Sequence, residues 1–206
     1  MLHARQTCLK RVELTHRVPR PGVSHHHGGC STKLQRCAGG APDLGRADYV
    51  GNMSSIEQRL STLGIVLPTA TGPKANYTNC VEVGGLLFVS GKGPLALPDG
   101  KLPKGKLGRD LSTREGYDFA RSTGLDILAA VRLGLGSLDR VQRVVKLQGF
   151  VNATEEFEEH PQVLDGCSDL MVEVFGEAGV HARSVMGAAS LRSGLPIIIE
   201  SIFALS

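Results

Sequence analysis

Two helix-length apolar stripes flank a β-branched run, Val141 to Val151 (VQRVVKLQGFV), and that order confines the chain to folds that mix helices with a sheet. The first stripe follows Ser112-Thr113-Arg114-Glu115, a pattern in which hydroxyl and carboxylate each satisfy an orphan amide at a helix start. Behind it Ala120, Leu125, Ile127, Leu128, Val131 and Leu133 read as one apolar face, with Gly134 or Gly136 as the stop and Gly124 as a tolerated weak spot. The second stripe runs from about Pro161 to Glu177, turning Val163, Leu164, Leu170, Met171, Val174 and Phe175 inward, and Gly179 closes it. Thr154 reads as a cap ahead of Glu155 and Glu156, acidic residues that suit a helix N-terminus.

The remaining elements are short. Ser54 or Ser55 caps a helix through about Leu63, whose buried stripe is Ile56, Leu60 and Leu63 and whose stop is Gly64. Tyr77 to Val83 and Leu86 to Ser90 flank Gly84-Gly85, the signature of a hairpin with a primed turn. Asp99-Gly100 marks a turn inside a Lys/Pro/Gly-rich loop, further β structure is expected between the hairpin and the first long helix, and Ser184 to Leu191 and Leu195 to Leu205 read as two closing strands. Strands returning to one mixed sheet, with two long helices able to cover one face, make an α+β two-layer sandwich. The other face has no helical cover in this plan, so self-association is expected.

The text before Met53 differs. Residues 1–52 hold eight Lys/Arg against three acidic residues, whereas residues 53–206 hold 15 against 17. We read 1–52 as a disordered or non-native extension and 53–206 as the folded domain. His25, His26, His27, Cys30 and Cys37 are ligand types, but they form one loose cluster rather than spaced pairs, so no metal is expected. The segment is Arg-rich and acid-poor, which leaves a mitochondrial transit peptide as the alternative to a cytoplasmic protein. Apolar runs such as Leu195 to Ile199 are too short to cross a bilayer. Without a basic field in the folded part, and with aromatics at 4%, nucleic acid is not an expected partner.

No phosphate loop, dinucleotide fingerprint, HExxH, CxxC or nucleophile elbow is present, and His160 and His181 read as surface or loop residues. What stands out is charge inside apolar text. Glu200 interrupts Ile197-Ile198-Ile199 and Ser201-Ile202-Phe203, so it has a partner, or a shifted pKa, or lies on the exposed side of an edge strand. Arg183 opens the preceding strand, and the short connection makes pairing with Glu200 feasible.

Gly72-Pro73, Phe88-Val89-Ser90-Gly91, Ala182-Arg183-Ser184 and the closing Leu195 to Ile202, in that order, resemble the RidA/YjgF family of reactive-intermediate deaminases. The resemblance covers most of residues 54–206. It implies a chorismate-mutase-like fold, a homotrimer with small-molecule clefts between subunits, and no organic cofactor or metal. It implies hydrolysis of enamine or imine acids, as by a 2-iminobutanoate/2-iminopropanoate deaminase, to 2-oxo acids and ammonia. Arg183 would clamp the substrate carboxylate through its planar fork, Glu200 would position or activate water, and Ser90 and Gly91 would line the cleft. Lys74 stands where Tyr is common in the active deaminases, Val185 where Cys is, Lys92 where Gln is, and His181 where Pro is. Lys74 and Lys92 would bring positive charge to the cleft and favour a more acidic ligand. The alternatives are a non-catalytic binder of a carboxylate metabolite and an endoribonuclease.

Overall fold

The computed structural model describes residues 55–206. The 1–52 segment, with its histidines, cysteines and targeting readings, lies outside the described residues. Helix α1 spans Ile56–Thr62, with Ser55 as N-cap in a reciprocal pair with Gln58 and Gly64 at φ 66° beyond its end. Strands β1 (Cys80–Val83) and β2 (Leu86–Lys92) form the hairpin, and Gly84 and Gly85 at φ 58° and 74° supply the primed turn that the sequence demanded. Helix α2 (Thr113–Leu135) begins at the Ser112/Glu115 capping box and stops at Gly136 in the left-handed region. Strand β3 (Val141–Asn152), helix α3 (His160–Phe175), strand β4 (Ala182–Ala188) and strand β5 (Ile197–Leu205) complete the domain.

The sheet order is β1-β2-β5-β3-β4, with β3 and β4 parallel and every other pair antiparallel. β3 and β5 share the longest pairing and form its centre. Both long helices cover the face that carries Leu87, Val89, Leu147, Val151, Ile199 and Phe203, all at or below 4% exposure. The expected α+β sandwich is therefore present, with a mixed five-stranded sheet.

Several local expectations are corrected. Asp99-Gly100 lies in a loop as expected, but the further β structure expected between β2 and α2 is reduced to isolated bridges of Leu107 with Leu111 and Ala153. Thr154 caps no helix: Pro161 sets the first turn of α3, which therefore starts at His160. Gly176, the first residue able to take φ 61°, ends α3 before Gly179 does. Leu133 is 70% exposed because it sits two residues past buried Val131, some 200° round the helix. Leu63 follows the last helical residue and also points to solvent.

Gly124 is not a weak spot but a requirement. A Cβ there would fall 2.8 Å from Leu170 Cδ2 and 3.2 Å from Cys167 Sγ, and a Cβ at Gly166 would strike the Tyr117 carbonyl. α2 and α3 thus cross on small residues at backbone-contact distance, and burial at the crossing pushes the Cys167 thiol up to about 12. Gly166→Ala gains ~1 kcal/mol of helix propensity, yet urea denaturation should show a net loss of about 1–3 kcal/mol from forced separation of the helices. Equal or greater stability would contradict this crossing.

Candidate functional site

Cross-strand partners share a face, so the registers say which side chains leave the core. Phe88 pairs with Ile202, Gln148 with Glu200 and Ser184, and Phe150 with Ile198 and Met186. These residues stand on the face without helices. Val81, Val83, Phe88 and Met186 there are 41–59% exposed, a hydrophobic surface left open as expected.

Glu200 belongs to this open face and is exposed, though β5 is a central strand and not an edge. Opposite it the β2 register slips between Val89 and Lys92, so Ser90 and Gly91 together face one residue of β5. Such a bulge bends a strand and re-aims what it carries. A Cβ on Gly91 would lie 2.9 Å from Ile198 Cγ2 and 3.8 Å from Glu200 Oε1, so glycine leaves the carboxylate its space. Ser90, Lys146, Gln148, Glu200 and Ile202 line a depression of about 260 Å³. Ser90 donates its hydroxyl proton to the Thr78 carbonyl at 2.6 Å, which ties the approach to β1 against the bulge.

On the other side of Gly91 lies a smaller recess of about 50 Å³, bordered by Lys74, Tyr77, Asn79, Ser90, Gly91 and Arg192. The two hollows meet at Ser90. The structure therefore brings Lys74, Ser90, Gly91 and Glu200 to one neighbourhood. Arg192, Lys146 and Gln148 join them without having been singled out in the sequence. The alternation of β3 could have flagged Lys146 and Gln148, but no local signal marks Arg192.

Lys92 lines the same recess, but its ammonium is turned inward and the residue is 4% exposed. It donates to the Thr71 carbonyl at 2.7 Å, to Asn79 Oδ1 at 3.0 Å and to Thr71 Oγ1 at 3.2 Å, with Asp126 Oδ2 at 3.6 Å. Asp126, 1% exposed, accepts in turn from the Thr71 amide and hydroxyl at 2.9 and 2.5 Å. Lys92 thus spends its protons on the loop before β1 and reaches a ligand only indirectly, by holding that loop.

Arg183 takes a different direction. It pairs with Leu147, whose partner on β5 is Ser201 and not Glu200, so one residue of parity sends it to the helix face. β3 also lies between β4 and β5, which excludes pairing with Glu200 within one chain. The guanidinium donates to Asp165 at 2.6 Å and to Ser168 Oγ at 3.1 Å. His181 Nδ1 donates to the Gly179 carbonyl at 2.6 Å, which leaves Nε2 to accept from Ser168. Burial, and less strongly the Arg183 charge, hold His181 below the usual imidazole range, in keeping with that neutral tautomer. Among the described residues no group of three or more His, Cys, Asp or Glu side chains could hold a metal ion. No helix among them is long and apolar enough to cross a membrane.

Lys92→Met leaves Asp126 buried without its cation, so denaturation should report a loss of about 3–5 kcal/mol. Adding Asp126→Asn to that variant should return part of it. A Lys92→Met protein as stable as wild type would contradict the geometry of the pair.

The family model of the YjgF/chorismate mutase-like, putative endoribonuclease family matches residues 57–198. A Trypanosoma cruzi protein named Protein TCP17 is 40% identical over 152 residues, which cover 73% of this chain and 94% of that one. The crystal structure of protein Atu1372 of Agrobacterium tumefaciens, of unknown function, is 39% identical with a TM-score of 0.66, covering 73% of this chain and 92% of that one. A structure from Shewanella oneidensis, called a putative endoribonuclease, is 33% identical with a TM-score of 0.69, covering 73% and 99%. With its fold and most of its length matched in this way, the chain belongs to the YjgF/RidA family.

Proposed function

We propose that this protein hydrolyses reactive imine or enamine acids to 2-oxo acids and ammonia, in clefts between the subunits of a homotrimer. The observation that carries this reading is Glu200, an exposed carboxylate on the helix-free face beside a bulged glycine, in one row with Ser90 and Gln148. A second copy on that face would exclude water around it and strengthen its interactions with substrate. Glu200 takes a proton from water as the oxygen attacks the imine carbon and passes it to the nitrogen, and the hydroxyl proton of the adduct follows by the same carboxylate. The tetrahedral adduct then expels ammonia and leaves the 2-oxo acid, so one water is consumed for each C=N bond broken. Arg183 keeps the carboxylate-clamping role that the resemblance implied. It lies on the sheet's edge strand, so it would reach a Glu200 centre only where that edge meets another copy. Ser90 and Gly91 shape the cleft, and Lys74 borders it.

The RNA-cleaving description attached to the family and to one relative fits this chain less well. Residues 53–206 carry 17 acidic against 15 basic residues and so lack the excess that neutralises phosphates.

An amino-acid oxidase generating imines in situ provides the assay. Glu200→Gln should slow ammonia release by about 100-fold or more, the usual contribution of a positioned base, while the protein still binds 2-oxobutanoate. Undiminished turnover in Glu200→Gln would overturn the assignment. Phe88→Asp places a charge in the open apolar face, so sedimentation should show dissociated chains and the assay no turnover. An intact assembly in that variant would place the interface elsewhere.

A further inference from the structure

The structure assigns the recess beside Gly91 as a second anion subsite, so that the substrate carries a further acidic group besides the carboxylate next to its imine. This rests on the reading of the Glu200 depression as the reacting centre. Three cations border the recess, Lys74, Lys92 and Arg192, and no Asp or Glu does. The Lys92 charge is met by Asp126 inside the protein. Lys74 and Arg192 are exposed and form no ion pair among the described residues. Two positive charges therefore face a recess that nothing negative neutralises.

The recess is built and not incidental. Arg192 opens a tight turn in which Ser193 adopts φ 56°, ψ 14°, the one positive φ outside glycine among the described residues. A non-glycine residue held there is a place to look for function. The turn is pinned by Gly105 N–H donating to the Gly194 carbonyl at 3.1 Å and by Leu195, which is 1% exposed. A Cβ on Gly93 would come within 3.7 Å of Arg192 Nη2, so the guanidinium lies over the strand end that follows the bulge. Lys74 arrives on the loop that Lys92 holds through Thr71. The volume, about 50 Å³, accepts a group of a few heavy atoms, and a planar fork suits a carboxylate. The two hollows share Ser90 in their walls, so a molecule that spans it would present its imine carbon to Glu200 and its distal acid to Arg192. The substrate class is then the 2-imino dicarboxylic acids.

The test compares binding of 2-oxoglutarate with that of 2-oxopentanoate, which matches its chain length but lacks the second acid. Calorimetry on wild type, Arg192→Ala, Arg192→Lys and Lys74→Ala reads both ligands without requiring turnover. Wild type should prefer 2-oxoglutarate by about tenfold or more, the scale of one charge-assisted pair. Arg192→Ala should bring that ratio close to one, and Arg192→Lys and Lys74→Ala should leave intermediate ratios. Equal wild-type affinities, no binding of either acid, or a preference that survives Arg192→Ala would each overturn the inference. The preference with no imine turned over would support the subsite and sink the deaminase reading alone.

Discussion

The ammonium of Lys92 and the carboxylate of Asp126 meet 3.6 Å apart in the protein interior, and the segments converging on them carry one wall of the site. Lys92 ends β2, Asp126 lies in mid-α2, and Thr71 and Asn79 belong to the stretch before β1. A buried pair of this kind adds little net stability over a well-packed apolar pair, because both charges lose their hydration. Its consequence here is positional. Loop, strand end and helix are held in one arrangement, so Lys74, Tyr77 and the Ser90-Gly91 bulge stand at fixed places around one hollow.

The second determinant is the period-two alternation of the strands. β5 sends Ile197, Ile199, Ser201, Phe203 and Leu205 under the helices and Ile198, Glu200 and Ile202 to the open side. The same alternation carried through β3 to β4 puts Ser184 beside the Glu200 row and Arg183 one step out of it. An exposed carboxylate on the helix-free face has no role in the core of the single chain. In the proposed assembly its setting is completed by what covers the sheet. Family, fold and open face together make a further copy of the chain the reading with the most support.

Much of this was legible in the sequence because the signals were local. The Ser112/Glu115 box, the Gly84-Gly85 turn and the apolar rows of α3 are set by residues within a few positions of one another, and each formed where expected. The departures came from non-local causes. Gly124 looked dispensable in its own helix, and only the approach of α3 shows why nothing larger fits. Lys92 read as a cation offered to a ligand, because sequence does not reveal the partner 34 positions away that draws it inward. Arg183 and Glu200 seemed paired because a short connection joins their strands, yet β3 inserts between them. Arg192 carried no local signal, since its place depends on where the crossover turn lands against β2.

The shared cleft can be tested most directly by subunit exchange between Arg183→Ala and Glu200→Gln. Each variant alone should be inactive toward in situ imines. If each cleft takes Arg183 from one copy and Glu200 from another, random mixing restores an intact pair in about a quarter of the sites of a symmetric assembly. Return of roughly that share of wild-type activity is the predicted result. A mixture that exchanges subunits and remains inactive would contradict the shared cleft.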